Sequence, residues 1–290
     1  MNNSQFSPLL LKDVDLTRFI FSSLKEDIGR GDHTTLACIP KNAKGKSKLI
    51  IKGHGIIAGV SLAEKIFHSY DKNLSVHVFL ADGAKVAKGD IVFTVEGSAR
   101  SILTTERLVL NCMQRMSGIA TATKTLVERC KPYRVKVADT RKTSPGMRAL
   151  EKWAVRIGGG YNHRSGLYDM ILIKNNHIDF AGGIANAIQS ANNYLKNKKL
   201  KLKIEIEARN LKEVKEIISA GNVDRILLDN FSIPDIKKTV QFIDGKFETE
   251  ISGGVNEKNI HKYASCKVNY ISVGALTHSV KSLDMSLTAV

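Results

Sequence analysis

The sequence predicts an α/β protein in two parts, an N-terminal open α/β sandwich domain over residues 1–104 and a C-terminal parallel α/β barrel-like domain with about six strands over residues 105–277. Three observations predict it. Short alternating strand patterns with glycine at most of the joints fill residues 46–99. One long helical pattern follows. From residue 135 a strand-then-helix rhythm then repeats with continuous apolar strands, which means a parallel sheet covered by helices.

Taken in order, residues 13–28 carry apolar side chains at Leu16, Phe19, Ile20, Leu24 and Ile28, a helical spacing that ends before Gly29. A compact turn, GRGDHTT, follows. The strands KSKLIIKG, GIIAGV, LSVHVFLADG and DIVFTVEGSA enclose a short helix, SLAEKIFHSY, whose Ser61 and Glu64 have the spacing of a capping box. Glu26, Asp27 and Asp32 are read as structural acids and the glycines here as joints. The long helix is expected from Thr105 to Arg129, which places Arg107 near its start, where a cation gains nothing from the helix dipole. The later strands are VKVADT, MILIKN, LKIEIEA, RILLDN, TEISGGV and YISVGAL, with helices near 147–157, 180–194, 210–219, 234–243 and 256–264. Six units suggest a barrel with fewer strands than the usual eight and an incomplete closure. Residues 278–290 are expected to return to the first domain.

Bulk properties narrow the function. At 290 residues the chain can bury a real core in each part. A composition of 43% hydrophobic and 25% charged residues is that of an ordinary globular protein. The net charge of +16 favours anionic partners. The densest basic run, Lys196 to Lys203, reads as a solvated loop, and no zinc-finger spacing or basic helix with interleaved aromatics points to nucleic acid. Cys38, Cys112, Cys130 and Cys266 are scattered without a CxxC, which suits thiols in a reducing, cytoplasmic setting. The N-terminus lacks the basic-then-apolar pattern of a secretion signal, and no run reaches the roughly 18 apolar residues of a membrane span.

The chemistry concentrates between Asp139 and Ile178. Arg141, Lys142, His163, Arg164, Lys174 and His177 lie there beside the run Gly158-Gly159-Gly160, flanked by apolar strands. Arginine forks, mobile lysines and exposed backbone N–H groups suit a polyanion. Polar residues also recur where the strands end: Thr140-Arg141-Lys142, Lys174, Glu207, Asp229, Ser252-Gly253-Gly254 and Gly274. In a parallel barrel those ends share the face where active sites form. The small loops Ser252-Gly253-Gly254 and Ser272 to Gly274 suit a phosphate nest. Glu207 and Asp229, facing a basic cavity, suit Mg²⁺, ribose hydroxyls or a sugar carbon that becomes positive. Arg141, His163, Arg164 and Lys174 suit a small di-acid, with Lys142 reaching a leaving pyrophosphate.

EDIGRGDHTT, TRKTSPGMRALEKWAV, GGGYNHRSGLYDMILIKNNHI, IEIEA, LLDNF, ISGGV and ISVGALTHS occur in order from Glu26 to Ser279. Together they resemble the quinolinate phosphoribosyltransferase family, the decarboxylating nicotinate-nucleotide pyrophosphorylases. The resemblance implies attack of the quinolinate ring nitrogen on C1 of 5-phosphoribosyl-1-pyrophosphate, loss of pyrophosphate and CO₂, and formation of nicotinate mononucleotide for NAD biosynthesis. It implies quinolinate contacts at Arg107, Arg141, His163, Arg164 and Lys174. It implies phosphoribosyl and Mg²⁺ contacts at Lys142, Glu207, Asp229, Ser252, Gly253, Gly254 and the loop through Ser272 and Gly274, with Thr140 beside them. Lys142, Glu207 and Asp229 are the expected catalytic residues, and Glu207 and Asp229 the expected metal ligands. A homodimer is also implied, in which Arg107 reaches the partner's site. One departure stands out: Asn175 follows Lys174 where the family carries an acid. Alternatives are a relative associated with molybdenum transport, a nicotinate transferase, and, on charge alone, a nucleic-acid-binding protein. A full cationic cluster with Lys174 favours the dicarboxylate.

Overall fold

The computed structural model describes residues 16–290. Residues 13–15 of the first expected helix, and the N-terminal stretch read for a secretion signal, lie outside them. The described residues divide into two compact units, one of residues 16–124, 143–159 and 276–290, the other of residues 125–142 and 160–275.

The first unit opens with α1 (Leu16–Ile28) and α2 (His33–Cys38). Asp32 caps α2, accepting from Thr35 N at 3.0 Å and from the Thr104 hydroxyl at 3.0 Å. Those bonds hold its carboxyl below the usual range although burial opposes them. Its sheet runs β12-β1-β5-β3, with β1 (Lys44–Ile51), β3 (Ser75–Val78), β5 (Ile91–Ser98) and β12 (Met285–Ala289), all neighbours antiparallel. The short pair β2 (Gly55–Ile56) and β4 (Lys85–Val86) stands apart from it. From Ser47 onward β1 alternates, so Leu49 and Ile51 enter the core beside Leu62, Ile66 and Phe67 of α3 (Val60–Tyr70). Phe67 meets Phe93 of β5 edge to face at 5.9 Å. Each such side chain contributes roughly 1.5 to 3 kcal/mol by leaving water.

Several expectations need correction here. No capping box opens α3: Gly59 is its N-cap and Ser61 lies inside the helix. The carboxylate of Asp82 instead accepts from Gly59 N at 2.6 Å, Val60 N at 2.9 Å and the Ser61 hydroxyl. A distant acid therefore satisfies the free amide groups that a local cap would otherwise take. The long helix α4 (Ala99–Cys130) starts six residues before Thr105, so Arg107 is roughly two turns inside it and the dipole argument for that residue fails. Gly158 and Gly159 spend their N–H groups on their own helix. They end α5 (Arg148–Ile157), donating to Ala154 O and Arg156 O at 3.0 Å each. A Cβ on Gly158 would lie 2.5 Å from Ala120 O, so a glycine is needed there for helix-to-helix approach.

The second unit is built on a parallel six-stranded sheet, ordered β6-β11-β10-β9-β8-β7. Its strands are β6 (Lys136–Ala138), β7 (Ile171–Ile173), β8 (Ile204–Ala208), β9 (Arg225–Asp229), β10 (Glu248–Ser252) and β11 (Tyr270–Ser272). The order is that of a barrel opened between β6 and β7, where Tyr161 makes a single parallel bridge to Ala138. Between the strands run α6 (Asn175–Phe180), α7 (Ile184–Lys198), α8 (Leu211–Ala220), α9 (Ile233–Ile243) and α10 (Ile260–Ala264). α7 continues through Lys196 and Lys198, so the first part of the expected basic loop is helical. All five residues of β8 are buried although two are glutamates. Strand periodicity sends Ile204, Ile206 and Ala208 to one face and Glu205 and Glu207 to the other.

Candidate active site

The C-terminal strand ends of the second unit gather the expected residues. Glu207 near the end of β8 accepts from Lys174 Nζ at 2.9 Å and from Asn175 N at 3.1 Å. Lys174 precedes α6, and its own N–H donates to His177 Nδ1 at 2.9 Å, so His177 shapes this turn. Asp229 ends β9 opposite Ser252 of β10. Burial, and then the negative charge of Glu207, raise its carboxyl above the ordinary value, against the pull of Lys174 and Lys142. Two carboxylates and two lysines thus share one electrostatic field.

The loop after β10 is held from β9. Asn230, with φ 57°, donates its N–H to Ser252 O at 2.9 Å. Gly253, with φ 100°, runs so close that an added Cβ would lie 2.1 Å from Asn230 Oδ1. Asn259 Nδ2 braces Gly254 O at 2.9 Å. Ser272 is buried and its hydroxyl donates to Ile251 O at 3.3 Å, spending that group across the sheet. Gly274 follows in the next turn. The hydroxyl of Thr140 accepts from Lys142 N at 3.1 Å, turning the chain where Arg141 and Lys142 leave β6.

On the β6 and β7 side the cations crowd. Arg164 is buried and donates to Met170 O at 3.4 Å. Burial first, then the positive charge of Arg141, lower its pKa. Arg141 Nε is buried without a hydrogen-bond partner. The loop between Arg164 and β7 is closed by Asp169, which accepts from Ser165 N at 2.7 Å and Gly166 N at 3.0 Å. His163 is fixed by its N–H, which donates to the buried Asp139 at 2.9 Å, and by its ring, whose Nε2 is 2.9 Å from Glu205.

The second unit therefore brings together Thr140, Arg141, Lys142, His163, Arg164, Lys174, Glu207, Asp229 and the two small loops. Arg107 belongs to the first unit, where it lines a cavity of about 520 Å³ with Phe19, Glu26 and Asn111. The sequence reading missed Asp139, Glu205, Arg225 and Glu250. A signal for Glu205 was present, since IEIEA puts it on the same strand face as Glu207.

Among known proteins, residues 32–117 match the N-terminal domain of quinolinate phosphoribosyl transferase and residues 119–288 its C-terminal domain. A relative from Oryza sativa subsp. japonica, a chloroplastic nicotinate-nucleotide pyrophosphorylase (carboxylating), is 47% identical over 94% of this chain and 77% of its own. A probable nicotinate-nucleotide pyrophosphorylase (carboxylating) of Bacillus subtilis (strain 168) is 38% identical over 96% of this chain and 94% of its own. The solved nicotinate-nucleotide pyrophosphorylase of Ehrlichia chaffeensis superposes with a TM-score of 0.90 at 37% identity, covering 96% of this chain and 99% of that one. Motif order, strand-end chemistry and these likenesses agree: the chain belongs to the quinolinate phosphoribosyltransferase family.

Proposed function

We propose the following division of labour for the phosphoribosyl transfer to quinolinate that family membership gives this enzyme of NAD biosynthesis. The observation that carries it is the pair Arg141 and Arg164: burial and then the charge of Arg141 disfavour the Arg164 cation, and Arg141 Nε has no hydrogen-bond partner in a buried position. A dicarboxylate answers both guanidinium groups, with His163 and Lys174 beside them. The loops at Ser252 to Gly254 and Ser272 to Gly274 take the 5-phosphate through backbone N–H groups. Glu207 and Asp229 stand where C1 of the sugar becomes positive. The ring nitrogen bonds to C1 as the bond to pyrophosphate breaks, and Lys142 receives the leaving group. The bond from C2 to its carboxylate then breaks, CO₂ departs with one proton taken up at C2, and nicotinate mononucleotide remains.

Glu207 and Asp229 are also the residues that would hold Mg²⁺. Their oxygen donors suit a hard cation, and the charge of Glu207 already disfavours ionised Asp229, a repulsion a divalent ion relieves. When bound it would supply charge neutralisation for the pyrophosphate. The working assembly is a homodimer in which Arg107 completes the partner's quinolinate pocket, and 1–104 and 105–277 are its functional domains. A cytoplasmic setting is supported by four unpaired cysteines, three of them buried. Among the described residues no helix is long and apolar enough to cross a membrane. The direct test is incubation with quinolinate, 5-phosphoribosyl-1-pyrophosphate and Mg²⁺ while CO₂ and pyrophosphate are measured. Equimolar release supports the reading, and pyrophosphate release from nicotinate but not quinolinate overturns it.

A further inference from the structure

Beneath the strand ends the second unit holds charges that the proposed transfer does not use. Glu205 and Glu250 have 0% exposure and Arg225 has 8%. Arg225 Nη1 lies 2.8 Å from Glu250 Oε2 and 3.8 Å from Glu205 Oε2. Its guanidinium also stacks on Tyr270 at 3.7 Å and reaches Glu248 at 3.1 Å. Above them the His163 ring points Nε2 at both acids, 2.9 Å from Glu205 Oε2 and 3.5 Å from Glu250 Oε1. His163, Glu205 and Glu250 lie close enough together to hold a metal ion. The guanidinium of Arg225 already occupies the cation's role, so no metal is needed to explain the cluster.

A buried acid pair directly below a pocket for a dianion has an unfavourable Coulomb effect on that dianion. Its retention there needs an opposing benefit, and the contacts supply one. His163 is restrained at its backbone by Asp139 and at its ring by a hydrogen bond to Glu205, with Glu250 Oε1 farther off at 3.5 Å, so its orientation is set from below. Arg225 in turn holds the two acids. We infer that Glu205 is a positioning residue for quinolinate that acts through the His163 ring, with Arg225 packed behind its carboxylate. This rests on the assignment of His163 to the quinolinate pocket.

The two explanations differ in sign. If the acids act only as charges, Glu205→Gln should tighten quinolinate binding. If they position His163, it should weaken binding about tenfold, the effect of losing one charge-assisted hydrogen bond. The test is a double-mutant cycle of Glu205→Gln, His163→Gln and the pair at pH 8, where the acids are ionised, with quinolinate and 5-phosphoribosyl-1-pyrophosphate titrated separately by calorimetry. We expect the quinolinate loss in Glu205→Gln, no further loss when it is added to His163→Gln, and affinity for the pyrophosphate substrate within about twofold throughout. Unchanged or tighter quinolinate binding in Glu205→Gln, or losses that multiply in the double variant, would overturn the inference while His163 keeps its assignment. Normal quinolinate binding by His163→Gln would overturn the assignment and the inference together. Should Glu205→Gln fail to fold, Glu205→Asp, whose shorter side chain withdraws the carboxylate from the ring, completes the same cycle. The unaltered protein should also show a slowly exchanging imidazole N–H resonance that His163→Gln removes, and its absence counts against the inference.

Discussion

Lys174 Nζ sits 2.9 Å from Glu207 Oε1, and the next residue's N–H bonds the other oxygen of the same carboxylate at 3.1 Å. This pairing ties the end of β7 to β8 and puts one cation between the proposed di-acid pocket and the proposed sugar site. Asn175 meets Glu207 through its backbone N–H, while its buried side-chain oxygen has no hydrogen-bond partner.

Arg164→Ala and Lys174→Ala should each weaken quinolinate binding far more than binding of 5-phosphoribosyl-1-pyrophosphate. A charge-assisted contact is worth about 1.5 to 3 kcal/mol, or roughly ten- to a hundredfold in affinity. Calorimetry with each ligand alone decides it, and equal losses for both would count against the assignment. Because Lys174 also serves Glu207, its variant should show the larger secondary loss in turnover.

Glu207→Gln and Asp229→Asn should lower turnover by about 10² while changing binding much less, because a carboxylate beside C1 matters most when positive charge develops. Steady-state rates at saturating Mg²⁺ check this. A variant that keeps the original turnover would return its residue to a structural role.

Gly253→Ala should damage phosphate binding without touching the di-acid pocket. Its Cβ would fall 2.1 Å from Asn230 Oδ1, and φ of 100° is strained for any L side chain. A cost of about 1 to 3 kcal/mol is expected. Affinity for 5-phosphoribosyl-1-pyrophosphate should fall while quinolinate binds as before, and normal affinity for both would show that the loop tolerates the change.

Stability should fall as pH rises through neutrality. Burial pushes Glu205 and Glu250 up from the ordinary 4.5 to about 7; Arg225 opposes the shift in both, while the charge of Glu205 reinforces it in Glu250. Between those values the folded chain holds protons that the unfolded chain has released, so stability decreases with rising pH by about 1 kcal/mol per unit per group. Glu250→Gln removes one such group and should flatten the slope. Urea midpoints from pH 5 to 8 for both proteins test it, and parallel curves would refute it.

The proposed shared site predicts complementation. Arg107→Ala and Lys174→Ala homodimers should each be nearly inactive, and subunit exchange should restore up to about a quarter of full activity, since half the dimers are mixed and one of their two sites is intact. Exchange confirmed by mass spectrometry without recovery would remove Arg107 from a partner's site.

The sequence by itself determined the α/β class, the six strands and the strand-end residues, because period-two and continuous apolar runs are local signals. It also carried Lys174, Glu207 and Asp229, whose positions follow from strand ends alone. Tertiary structure decided what depends on distant partners. Asp82 displaced the local cap of α3 because a carboxylate 21 residues beyond Ser61 could satisfy four donors at once. Gly158 proved to serve helix packing because only the fold brings Ala120 against it. The buried set of His163, Glu205, Arg225 and Glu250 comes from four separate segments, and charges in a strand interior read as exceptions until register places them on one face. Periodicity fixes which way a side chain points, and only closure of the sheet fixes what it meets.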